Sequence, residues 1–181
     1  VASGLQYLHS RDPSVVHGNL LAVKTCFLQL TDCFIYKANI LVDDTGEPRI
    51  AAVCFSRVAD SQANVSKSTS FRGIGGHLRW QAPELLIPAD SKEEVGNMTT
   101  KSDVYAFACV CLEIFTGEVP FSDLEDDAGV IMAITVKHQR PSRPSTPASA
   151  ELDDTLWKIM MSCWATRPED RPSTDELVEC L

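Results

Sequence analysis

Residues 104–116 (VYAFACVCLEIFT) carry one charge in thirteen positions, and at a helical period their apolar side chains fall on every face. A helix of that kind is stable in water only when other elements cover it on all sides. It can therefore only be the central element of a core. Thr99-Thr100-Lys101-Ser102-Asp103 leads into it, and Gly117 is placed to end it as a residue that accepts the left-handed conformation. The rest of the chain must supply the covering elements. At 181 residues and 44% hydrophobic, it can do so as one domain with a sizeable core, and whole-chain disorder is excluded.

The covering elements read mostly as helices. Val1, Leu5 and Leu8 lie at helical spacing, so residues 1–10 form an amphipathic helix that Ser10-Arg11-Asp12-Pro13-Ser14 breaks. Pro83 starts a short helix reaching Leu86, and residues 128–137 form another. Leu152, Leu156, Ile159, Met160 and Cys163 trace one face of a strongly amphipathic helix. The final helix, 174–181, is capped by Ser173 or Thr174 with Glu176 in its first turn. Strand signals are few. Val15-Val16 is a short run, and residues 39–42 and 49–53 flank the turn Asp43-Asp44-Thr45-Gly46-Glu47-Pro48 as a hairpin in which Pro48 stops pairing. Residues 60–76, 88–100 and 141–149 read as loops. The expected fold is mainly α with a small β-hairpin.

Charge and cysteine usage narrow the function. A net charge of −9 without a Lys/Arg run excludes the basic footprint of a nucleic-acid binder and argues against an anionic membrane. No apolar run is long enough to span a bilayer. The seven cysteines (Cys26, Cys33, Cys54, Cys109, Cys111, Cys163 and Cys180) are odd in number and contain no C-x-x-C pair. They read as reduced thiols of an intracellular, cytoplasmic protein, without zinc. The chain opens in mid-helix at Val1 with no signal or transit peptide, and reads as a fragment.

A series of short motifs then appears in a fixed order. Val16-His17-Gly18-Asn19-Leu20 comes first, followed by Lys37-Ala38-Asn39-Ile40-Leu41 and by residues 49–57 around Ala52-Val53-Cys54. Trp80-Gln81-Ala82-Pro83-Glu84, Ser102-Asp103-Val104-Tyr105, Gly117-Glu118-Val119-Pro120-Phe121 and Cys163-Trp164 with Arg167-Pro168-Glu169-Asp170-Arg171-Pro172 complete it. Together they resemble the C-terminal lobe of eukaryotic protein kinases, in the style of the tyrosine-kinase-like serine/threonine group. The resemblance covers nearly all of residues 1–181, and residues 58–79 fall where the activation segment lies, with Ser66, Ser68, Thr69 and Ser70 as candidate phosphorylation positions and His77 near its end. The N-terminal lobe, with its Gly-rich loop, lysine and helix glutamate, is expected to be absent.

The resemblance assigns structural roles first. Glu84 and Arg171 correspond to the family's buried ion pair. Asp103 corresponds to the aspartate that accepts hydrogen bonds from the catalytic-loop backbone, His17 belongs to that loop, and Trp164 packs near the Glu84–Arg171 corner. The positions that carry chemistry depart from the pattern. The aspartate that accepts the substrate's proton reads Asn19, whose amide is not basic near neutral pH. The aspartate that holds magnesium reads Ala52, which has no side-chain oxygen, and Cys54 stands where that motif has glycine. Asn39 matches the second magnesium ligand and is the weak metal candidate. Gly18 replaces an arginine.

Asn19 and Asn39 are 20 positions apart where the family has five, so residues 21–36 read as an insertion. A translated intron and a docking strand both account for it, and it would separate Asn39 from Asn19 unless it loops out whole. The resemblance implies ATP and magnesium as cofactors, not productively bound by this chain. The expected function is a pseudokinase that binds protein partners, rather than nucleic acid or membrane. A weakly active kinase in the complete protein and a non-functional truncated product are the alternatives.

Overall fold

The computed structural model of the chain describes residues 1–20, 39–51, 57–58, 78–86, 98–144 and 152–181. Six helices and two small antiparallel sheets are described: α1 (Ala2–His9), β1 (Val15–Val16), β2 (Ile40–Val42), β3 (Pro48–Ile50), β4 (Arg57–Val58), α2 (Pro83–Leu86), α3 (Thr100–Thr116), α4 (Asp127–Thr135), α5 (Asp154–Cys163) and α6 (Thr174–Cys180). The fold is mainly α with a minor β component. Single 3₁₀ turns, Leu78–Trp80 and Pro168–Asp170, precede α2 and α6.

The central helix is α3. Its N-terminus carries a reciprocal capping box: the Thr99 hydroxyl accepts from Ser102 N–H while the Ser102 hydroxyl accepts from Thr99 N–H. At the other end Gly117 adopts φ 68° and its N–H donates to Glu113 O at 2.8 Å. From Ser102 to Val110 every residue is buried. Burial on all sides stops there: Leu112 and Phe115 still meet the core, but Ile114 is 60% exposed. The core around α3 takes Leu5 from α1, Leu20, Trp80, Ala82, Leu152, Met160, Cys163, Trp164 and Leu177. A second, smaller cluster joins Phe121 to Val130, Ala133 and Ile134 of α4, against Leu78, Leu86 and Leu124.

The other helices are set by their caps. Asp126 accepts from Gly129 N–H and starts α4, and Asp153 accepts from Leu156 N–H and starts α5. Leu152 therefore lies just before α5 rather than within it, although it is buried in the same core. Ser173 and Glu176 form a second capping box at α6, which packs against α1.

The sheets are two hairpin-like pairs. β2 pairs with β3 in the register Ile40↔Ile50, Leu41↔Arg49 and Val42↔Pro48, so Pro48 pairs instead of ending the ladder. It is the first residue of an edge strand, where the missing N–H is not needed. β1 pairs with β4 through Val15↔Val58 and Val16↔Arg57, so the short run Val15-Val16 is a strand as expected, while its partner at 57–58 gives no strand signal. The β2–β3 turn is tied by Asp43, whose carboxylate accepts from Thr45 Oγ1, Thr45 N–H, Glu47 N–H and Arg49 Nε.

The four described thiols, Cys109, Cys111, Cys163 and Cys180, are free. Burial pushes Cys111 and Cys163 up to about 12 and raises Cys109 as well, so all three are protonated and unreactive at neutral pH. Cys180 is exposed, and Cys26, Cys33 and Cys54 lie outside the described residues.

Two outcomes follow. Gly117→Ala leaves open space around the new methyl group, so its cost is purely conformational, about 1 kcal/mol. A lowered urea midpoint with an unchanged slope would measure it, and an unchanged midpoint would contradict it. For the turn, hydrogen bonds from the Thr45 hydroxyl, the Glu47 N–H and Arg49 lower Asp43 to about 2. A depressed carboxylate contributes order that is fully present above its unfolded value of 3.8 and lost as pH falls through about 2. The Thr45 and Glu47 amide resonances should shift with that midpoint, and a midpoint near 4 would remove the claim.

Candidate functional site

The site is organised by one carboxylate. Asp103, in the first turn of α3, is 1% exposed. Its Oδ2 accepts from His17 N–H at 2.7 Å and its Oδ1 from Gly18 N–H at 2.7 Å. Both oxygens thus grip consecutive amides of the loop that follows β1. Gly18 has φ 75°, a conformation that glycine enters without a Cβ penalty, and it turns its N–H toward the same carboxylate as its neighbour's. A third donor comes from α1, where His9 Nε2–H reaches Asp103 Oδ2 at 3.0 Å. His9 sits one helical turn after Leu5 on the buried side of α1. A histidine at i+4 from a core leucine lies on the buried stripe of the helix, where a polar group requires a partner, and the motifs do not mark it.

His17 passes the positioning on. Its Nδ1 accepts the Asn19 N–H at 3.3 Å, so the proton sits on Nε2, which donates to Ala51 O at 3.1 Å. The ring is fully buried and ties Asn19 to the residue preceding Ala52. Asn39 closes the arrangement: its Nδ2 donates to Asn19 O at 2.5 Å, and its own carbonyl accepts from Ala51 N–H at 2.8 Å. Twenty positions of sequence therefore close to one hydrogen bond, and Asn39 is not displaced from Asn19. Asn39 is fully buried and its Oδ1 has no hydrogen-bond partner among the described residues. The structure brings together His17, Asn19, Asn39 and Asp103. Ala52, Cys54 and His77, the insertion at 21–36 and nearly all of 58–79 lie outside the described residues.

A second cluster holds the opposite corner. Arg171 donates from Nη1 to Glu84 Oε1 and from Nη2 to Glu84 Oε2, both at 2.7 Å. The Arg171 side chain is fully buried and that of Glu84 is 20% exposed. Nε of Arg171 also reaches Ala165 O, and Nη1 reaches Lys101 O. In return, Lys101 Nζ donates to Arg171 O. The guanidinium lies 5.3 Å from the Tyr105 ring centroid, and Arg140 approaches the same ring at 5.9 Å. Trp164 is buried beside this corner, edge-on to Trp157, with its carbonyl accepting from Arg140 Nε. Trp80 joins the 3₁₀ turn to α3 through Nε1–H to Glu113 Oε2 at 3.1 Å.

A helical domain in which an aspartate of the central helix pins a His-Gly-Asn loop, and a distant Glu–Arg pair locks the end of the chain, is the architecture of a protein kinase domain. The chain belongs to the protein tyrosine and serine/threonine kinase family, which matches residues 1–181. It is 30% identical over 181 residues to the serine/threonine-protein kinase CTR1 of Arabidopsis thaliana, covering 100% of this chain and 18% of that protein. It is 29% identical over 192 residues to the LRR receptor kinase SERK2 of rice (Oryza sativa subsp. japonica), covering 99% of the chain and 27% of the relative. Against the mouse serine/threonine-protein kinase TNNI3K the identity is 29% over 187 residues, covering 100% and 18%. The chain thus spans between 18% and 27% of the length of these relatives. Among the described residues no helix is long and apolar enough to cross a membrane, and no group of three or more His, Cys, Asp or Glu side chains could hold a metal ion.

Glu84→Ala would leave Arg171 buried with carbonyls as its only acceptors. Removing one partner of a buried pair costs about 3–5 kcal/mol. Those carbonyls and the partial exposure of Glu84 place this case at about 3 kcal/mol. Urea unfolding of the variant measures the loss, and a change below about 1 kcal/mol would show that the pair does not hold this corner.

Proposed function

We propose that this chain is the C-terminal lobe of a degenerate kinase of the tyrosine-kinase-like group, and that it works as a protein-binding pseudokinase module rather than as a phosphotransferase. One observation carries the reading. The groups that build the loop are complete, while both positions that would act on a phosphoryl group lack a carboxylate. Asp103, His17, Gly18 and Asn39 hold the loop in shape, yet the residue held is Asn19. An amide there can orient a substrate hydroxyl but cannot take its proton, a role worth about 10²–10⁴ in rate.

Kinases of this family use ATP and magnesium. The Asn39 Oδ1, buried and unpartnered, is a suitable oxygen donor. The companion position, Ala52, offers no side-chain oxygen. Magnesium requires near-ideal octahedral oxygen coordination, and in kinases two protein side chains hold it against the nucleotide phosphates. One donor does not make that site, so the residues present do not fit a resident magnesium–nucleotide complex. No step of the proposed function passes through it.

The orphaned Asn39 oxygen is also what favours the alternative, a complete protein with weak kinase activity. Incubation of the complete protein that contains this chain with magnesium and γ-labelled ATP, with a generic basic protein as acceptor, separates the two. The expected result is no transfer above a protein-free control. Magnesium-dependent transfer that disappears in Asn39→Ala would replace the pseudokinase reading with the catalytic one.

A further inference from the structure

We propose that the outward face of α4 docks a basic, apolar-studded segment of a partner protein; the proposal names a surface for the binding-module reading and rests on it. The starting point is a mismatch within α4. Its sequence, DAGVIMAIT, has one charged residue, which sits in the first turn. A helix so apolar is ordinarily covered all round. Among the described residues only one side is covered, by Val130, Ala133 and Ile134 against Phe121, Leu78, Leu86 and Leu124. On the other side Met132 is 54% and Val136 67% exposed, one helical turn apart, with Ala128 exposed a further turn before them. Neighbouring apolar side chains on one stripe, rather than scattered singly, are the usual mark of a binding surface.

The occupant follows from charge. Asp123, Glu125, Asp126 and Asp127 are all exposed just ahead of this stripe, and none forms an ion pair among the described residues. Asp126 and Asp127 have a local use, as the cap on Gly129 N–H and as a first-turn acid. Asp123 and Glu125 have none. They are nevertheless held in place, because the Arg79 guanidinium donates to the carbonyls of Pro120, Phe121 and Leu124 and braces the segment that carries them. Arg79 spends its donors on carbonyls and leaves the carboxylates free. A second copy of this chain is disfavoured as occupant, since each copy carries a net charge of −9. A segment with Lys or Arg beside apolar anchors satisfies both halves of the surface.

The probe is a synthetic 18-residue amphipathic helix of Leu and Lys, with a Leu/Glu peptide of the same pattern as control, titrated into the full 181-residue chain. Affinity is read by fluorescence anisotropy and location by amide hydrogen exchange. The expected result is binding of the Leu/Lys peptide only, with protection confined to α4 and the segment before it. Met132→Asn with Val136→Asn should weaken it about tenfold, the equivalent of roughly two lost apolar contacts. Asp123→Asn with Glu125→Gln should flatten its salt dependence. All four side chains are exposed, and an unchanged thermal transition verifies that each variant is folded.

Equal binding of the Leu/Glu peptide, protection elsewhere, or unchanged affinity in the Met132/Val136 variant overturns the proposal. So does a dimer, seen by sedimentation, that the same variant abolishes. Phosphoryl transfer by the chain would refute the pseudokinase reading without touching these outcomes, so the two failures are distinct.

Discussion

The buried carboxylate of Asp103 is the interaction on which the rest of this domain depends. It joins the start of α3 to two parts of the chain more than 80 positions away, the end of α1 through His9 and the loop after β1 through His17 and Gly18. Burying an ionised carboxylate costs several kcal/mol when it is left alone. Here two backbone N–H groups at 2.7 Å and a histidine N–H at 3.0 Å offset that cost, each such bond to a charged acceptor contributing about 1.5–3 kcal/mol. Because the acceptor sits on the most deeply buried helix of the fold, the loop inherits the rigidity of the core. Gly18 with φ 75° lets both amides face one carboxylate.

The Glu84–Arg171 pair performs the same service at the other side of α3. It connects α2 to the segment before α6, and Lys101 couples that segment back to the first turn of α3. Asp103 and Lys101 thus place the two polar clusters on one helical turn. That turn is fixed in turn by the Thr99–Ser102 capping box. None of these contacts involves the side chain of Asn19. The contacts that hold the loop are therefore independent of which side chain stands at position 19, whereas Asn39 belongs to them through its amide nitrogen and its backbone carbonyl.

How much of this is legible in the sequence depends on the range of the interaction. Helix α3 announces itself through an uninterrupted apolar run, and Ser173 with Glu176 states the start of α6, because both signals are local. Leu152 and Pro48 show where local reading stops. Leu152 keeps the helical spacing of α5 yet precedes its cap, and Pro48 pairs because its strand lies at an edge. The β1–β4 pair is two residues long on each side and exists only because tertiary structure brings the runs together. The His9–Asp103 contact spans 94 positions, and the place of His9 one turn after Leu5 marks the histidine without naming its partner. In the candidate site the motifs give the identities of Asn19, Asn39 and Asp103. They do not give the direction of the Asn39 amide.

That direction matters for how the site could have changed. Asn39 uses its nitrogen to hold the Asn19 carbonyl and its backbone carbonyl to hold Ala51, which leaves the Oδ1 facing no partner. A buried amide oxygen without a partner typically costs about 1–3 kcal/mol. A residue kept only for loop architecture would gain by orienting both ends of its amide toward partners. On the pseudokinase reading proposed above, that cost is what remains of a geometry that presents the oxygen to a cation. Asn19 and Ala51 both lean on Asn39, and His17 leans in turn on Asn19 and Ala51. A replacement that satisfied the lone oxygen would disturb all three.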